Sequence, residues 1–93
     1  MDKQLARIIW FDAKKGFGFL KLMNDEKKEL FFHLSEIHSE GTYKKVYPDE
    51  YVNVEVHFDE EKQKDVAKNI TGVNGEKLMV DNESLIFKYY KRN

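Results

Sequence analysis

The sequence predicts an all-β fold, a small five-stranded Greek-key barrel followed by a C-terminal extension. Three observations point there. The runs between residues 5 and 73 are short, rich in β-branched and aromatic residues, and bounded by turn-formers. Apolar and polar side chains alternate along the clearest of them, which is the period of a half-buried strand. No helical periodicity longer than two turns occurs before residue 80.

The first strand spans residues 5–12, Leu-Ala-Arg-Ile-Ile-Trp-Phe-Asp, and Ala13-Lys14-Lys15-Gly16 turns the chain into a second, Phe17–Leu22. Asn24–Lys28 is a polar turn between two apolar runs. Leu30–Leu34 is the third strand, and Ser35–His38 leaves room for one helical turn. Ser39–Asp49 reads as a long loop exposing Tyr43, Lys44, Lys45 and Tyr47. The fourth strand, Tyr51–Phe58, sends Val52, Val54, Val56 and Phe58 to the core and Asn53, Glu55 and His57 to water. Asp59–Asp65 is a charged loop and Val66–Val73 the fifth strand.

Composition bounds the reading. The 93 residues make one domain, and 41% hydrophobic with 14% aromatic content makes it globular despite 35% charged residues. The absence of cysteine excludes disulfides and thiolate metal sites and suits a reducing cytoplasm. No apolar run near Met1 is long enough for a signal peptide or a membrane span. The net charge of −1 argues against a duplex binder that works through phosphates.

Strand alternation sorts the aromatic residues. Phe17 and Phe19 share one face, while Gly16, Gly18 and Leu20 share the other. Phe31 and His33 likewise separate from Leu30, Phe32 and Leu34. If the two strands pair antiparallel, four flat π-systems crowd one patch with Lys15 at its edge. The ordinary reading of two Phe at spacing two is a buried face. Against it, Ile8, Leu20, Leu22, Leu30 and Phe32 form a largely aliphatic set able to fill a barrel without those rings, and burying His33 would need a satisfied partner. The rings therefore face solvent, and a large exposed apolar patch marks a binding site. Flat rings with cations suit a single-stranded nucleic acid, whose bases offer π-faces. Arg7, Lys14, Lys15, Lys21 and the Lys44-Lys45 pair are the cations available to such a face.

These motifs also carry a resemblance. Ile9-Trp10-Phe11-Asp12 followed by Lys15-Gly16-Phe17-Gly18-Phe19-Leu20 looks like the Trp-bearing segment and first ribonucleoprotein motif of a cold-shock domain. Leu30-Phe31-Phe32-His33-Leu34-Ser35 looks like the second motif, and Ala67-Lys68-Asn69-Ile70 is similar to the closing strand. Residues 5–73 thus resemble that family, which implies an OB-type barrel that binds single-stranded RNA or DNA. By resemblance Trp10, Phe17, Phe19, Phe31 and His33 form the base-stacking platform, Lys15 meets the backbone and Phe11 flanks the site. Three positions depart from the family pattern. Ile9 replaces a lysine, Leu34 replaces an aromatic ring with an apolar contact, and Thr42-Tyr43 stands where the family has one aromatic residue, with Tyr43 as the substitute. The rival RNA-recognition-motif sheet fails on topology, because its second motif precedes its first and residue 15 leaves no room for that.

Nothing in the sequence indicates catalysis. His33, His38 and His57 lack zinc-ligand spacing, the acids lie mostly in turns, and Gly16 and Gly18 lie within a strand rather than a phosphate loop. No cofactor is implied. Residues 74–93 form the extension beyond a domain at 1–73. Asn74-Gly75 signals a hairpin that folds Glu76–Val80 back on Ile70–Val73. Leu85–Arg92 is a further strand by composition, with a short capped helix as the alternative. The extension packs on its own barrel, pairs two chains as a homodimer, or adds a basic-aromatic arm. Two functions follow: a non-enzymatic single-strand binder with RNA-chaperone character, or a protein-interaction module built on barrel and tail.

Overall fold

The computed structural model of the protein describes residues 3–41 and 44–81. Tyr43 and the strand, helix or dimer alternatives for the tail beyond Asp81 lie outside the described residues. Strands β1 (Gln4–Asp12), β2 (Phe17–Leu22), β3 (Asp25–His33), β4 (Tyr51–Asp59) and β5 (Lys64–Thr71) close a barrel in the order β1-β2-β3-β5-β4. All neighbours pair antiparallel except β3 and β5, which meet in parallel at Phe31 and Val66. Among the described residues no helix is long and apolar enough to cross a membrane.

The expected apolar set is buried in the core: Ile8, Leu20, Leu22, Leu30 and Phe32 are each at most 4% exposed. Val52, Val54 and Ile70 join them from β4 and β5, and Ile37, Val46 and Leu78 come from outside the strands. Gly18 faces this core. A Cβ there would stand 2.4 Å from the Trp10 carbonyl oxygen and 2.6 Å from Cζ of Phe32, so only a bare backbone fits.

Several expectations need correction. β3 starts at Asp25 rather than Leu30, because Asp25 and Glu29 already pair with Leu22 and Lys21 across an irregularity in the ladder. The polar side chains of that segment face outward, and the half-buried Lys28 pairs with Asp65 of β5. Phe58 is 59% exposed and not in the core. The reason is topological: β1 begins at Gln4, opposite Val54, so among the described residues the rest of β4 pairs only with β5. Tyr47 is half-buried rather than exposed, with the Lys45 ammonium 4.7 Å from its ring centre.

The Asn74-Gly75 turn forms, but the hairpin does not. Both residues have left-handed φ (53° and 82°), and the Glu76 amide donates to the Val73 carbonyl at 2.9 Å. Instead of a return strand, the chain makes 3-10 turns at Val73–Gly75 and Met79–Asp81. Between them Leu78 drops into the core at 2% exposure, a burial worth roughly 1.5–3 kcal/mol that a solvent-side hairpin would forgo.

Candidate nucleic-acid interface

β1, β2 and β3 build the aromatic face. Ala6 and Ile8 point inward, and plain alternation would send Trp10 in after them. A bulge at Ile9 prevents this. Ile8 pairs with Leu20 and Trp10 with Phe19, so the extra residue turns the indole outward, where it is 40% exposed. Register does the rest: Phe17 lies opposite His33, and Phe19 opposite Phe31.

The rings touch one another. Trp10 and Phe17 have centroids 5.4 Å apart, Phe17 and Phe31 5.4 Å, and Phe19 and Phe31 6.0 Å. Their planes are tilted or edge-on, the arrangement that ring quadrupoles favour, and each ring is only half-buried or exposed. Four mutually braced rings hold one surface without further ordering. His33 is exposed, and its Nδ1 accepts the Ser35 amide at 3.1 Å, which leaves Nε2–H outward in the neutral ring.

The cations divide into engaged and available. Arg7 donates to Asp49 at 2.8 Å, and Lys21 lies 4.0 Å from Glu29, so both are partly neutralised on this face. Lys14 and Lys15 sit exposed at the β1–β2 turn, where Asp12 Oδ1 accepts both of their amides and Gly16 takes φ of 79°. Among the described residues neither ammonium has an ion-pair partner.

Of the other expected site residues, Phe11 turns away from the platform. It pairs with Gly18 and stacks on Phe32, centroids 5.9 Å apart and planes 9° from parallel. Leu34 leaves β3 at the start of a 3-10 turn and packs half-buried against the core. A contributor absent from the sequence reading is Lys62, whose ammonium lies 4.9 Å from the Phe31 ring centre. It stands beside a groove of about 240 Å³ also lined by His33, Glu36 and Lys68. In sequence Lys62 belongs to an unremarkable charged turn, and only the parallel seating of β5 against β3 brings that turn to the rings.

Away from the platform, Glu55 accepts from Asn69 Nδ2 at 2.9 Å and lies 3.1 Å from His57 Nε2. Hydrogen bonding from His57, then from Asn69, holds the Glu55 carboxyl below its ordinary range.

A closed five-stranded barrel with rings and lysines gathered on one face defines an oligonucleotide-binding type of domain. The chain belongs to the cold-shock domain family, since residues 4–73 match the 'Cold-shock' DNA-binding domain. This is a nucleic-acid-binding, non-enzymatic family whose members bind single strands. The chain is 35% identical over 72 residues to the cold shock-like protein CspB of Yersinia pestis, covering 77% of this chain and 97% of that protein. It is 38% identical over 58 residues to cold shock domain-containing protein 4 of Arabidopsis thaliana, covering 62% of this chain but only 28% of the plant protein. It is also 44% identical over 36 residues to a cold shock-like protein of Thermotoga maritima, covering 39% of this chain and 52% of that protein.

Proposed function

We propose that this protein binds single-stranded RNA or DNA by stacking unpaired bases on Trp10, Phe17, Phe19, Phe31 and His33, and acts as an RNA chaperone in the cytoplasm. The observation that carries this reading is the ring cluster itself: four rings in mutual contact on one face, left accessible on a chain whose core is complete without them. Stacking accepts every base, so it suits a binder with little sequence preference. Lys14, Lys15 and Lys62 contact phosphates at the rim. Binding unpaired strands but not duplex shifts RNA folding by mass action, and no fuel is needed.

Titration of Trp10 fluorescence with a short oligopyrimidine tests the reading. Saturable quenching by the single strand, with little response to the same sequence as a duplex, is the expected result. Unchanged fluorescence together with no mobility shift at high oligonucleotide concentration rules it out.

A further inference from the structure

The family match ends at residue 73, yet the chain beyond it is built into the barrel. The 74–81 segment is tied down along its length, with an exposed Lys77–Glu40 ion pair at 3.5 Å beside the contacts that follow. The Asn74 amide donates to Asn53 Oδ1 at 2.8 Å, and Leu78 fills the core. The Met79 amide donates to Glu50 Oε2 at 2.8 Å, and Asp81 Oδ2 accepts the Glu40 amide at 2.8 Å. At its root the chain doubles back so closely over Gly72 that a Cβ there would stand 1.7 Å from the Glu76 carbonyl oxygen.

Glu50 is the junction. The residue is 5% exposed, with Oε1 accepting the Tyr47 amide at 3.0 Å and Oε2 the Met79 amide. A buried carboxylate is tolerated only where such donors meet it, so the strap supplies one of the two partners that the structure gives it. The backbone of Glu50 and of its neighbour Asp49 holds β1: the Ile8 amide donates to the Glu50 carbonyl at 2.9 Å, and the Ile8 carbonyl accepts the Asp49 amide at 2.8 Å. Ile8 is the last core residue before the bulge that throws Trp10 onto the ring face. Strap, carboxylate, bulge and indole thus form one contiguous chain of contacts.

We infer that the 74–81 strap is a positioning element for the nucleic-acid platform, so that strap docking and single-strand binding favour each other through Glu50 and the Ile8–Trp10 bulge. The inference rests on the binding function proposed above. It makes residues 4–81, not 4–73, the binding unit. Because coupling between two equilibria is reciprocal, a bound strand must hold the strap down by the same factor by which the docked strap improves binding.

Hydrogen exchange on the full chain reads this directly, with and without a saturating short single-stranded oligopyrimidine. The Met79 amide, which bonds Glu50, reports strap opening, and the Met23 amide, which bonds the Leu5 carbonyl at 2.9 Å, is the reference. We expect exchange at Met79 to slow about fivefold or more beyond any slowing at Met23. Glu50→Gln, kept only if its circular dichroism matches the parent, should weaken binding and shrink the Met79 response together. Binding without a Met79 effect in excess of Met23 overturns the coupling and leaves the proposed function standing. Failure of the full chain to bind overturns both.

Discussion

The Lys62 ammonium stands 4.9 Å from the centre of the Phe31 ring, placing a cation from the β4–β5 turn over a ring of β3. The two residues share no local sequence relationship, and the contact exists because β5 closes the barrel beside β3. On the proposed function, a base stacking on Phe31 would take the place of this ammonium and leave it to meet a phosphate. Lys62→Ala should therefore reduce the salt dependence of single-strand binding by about 0.7 in the slope of log affinity against log salt. Titrations at several salt concentrations check this, and an unchanged slope would place Lys62 outside the bound strand's path.

The ring face and the core should separate under mutation. On the proposed function, Phe17→Ala and Phe31→Ala should each cost about 1–3 kcal/mol of binding, the loss of one base–ring stack. Phe32→Ala, from the fully buried position next in sequence, should instead cost about 3–5 kcal/mol of folding stability. Paired oligonucleotide titrations and urea denaturation distinguish the two. Substantial unfolding by Phe17→Ala alone would contradict its placement on the surface.

Gly18→Ala tests why that position is bare. The new methyl would meet the Trp10 carbonyl oxygen and Phe32 Cζ well inside contact distance. Forcing a methyl into so tight a site costs about 1–3 kcal/mol. The Tm should drop, and binding should fall too, because the atom displaced first belongs to Trp10.

Glu50 gives a pH signature. Burial is the main cause holding its carboxyl above the ordinary value of 4.5, and the amides of Met79 and Tyr47 only partly oppose it. With the folded value raised, the carboxyl contributes stability below the ordinary glutamate range, and that contribution is lost as pH rises through the raised value. Relative to Glu50→Gln, whose side chain does not titrate, the parent should gain stability as pH is lowered through that window. Glu55 runs the other way. Its lowered value means its contribution is present above the ordinary value and lost as pH falls through the lowered one. Thermal melts of parent, Glu50→Gln and Glu55→Gln from neutral to acid pH check both signs.

Local chemistry made most of the barrel legible in the chain. Alternation is a property of a single strand, so Phe17 and Phe19 separate from Gly18 and Leu20 whatever the rest of the molecule does. The turn chemistry of Asn74-Gly75 was equally local, and that turn forms with the left-handed angles those residues favour. Whether a strand followed it was not a local question. It depended on whether the core had room for Leu78.

The sequence by itself therefore determined most of the strands, the apolar set at the barrel's centre and the shared outward face of Phe17, Phe19 and Phe31, because a period of two is set by backbone geometry one residue at a time. Trp10 reaches that face only through the bulge at Ile9. Tertiary structure decided everything that depends on where strands end and which neighbours they find. It exposed Phe58, since β1 begins only at Gln4, opposite Val54, and turned Phe11 onto Phe32 across the bare Gly18. It also carried Lys62 to Phe31 and buried the Glu50 carboxylate under the strap. Each of these follows from barrel closure, which joins residues far apart in the chain and is invisible to any local pattern.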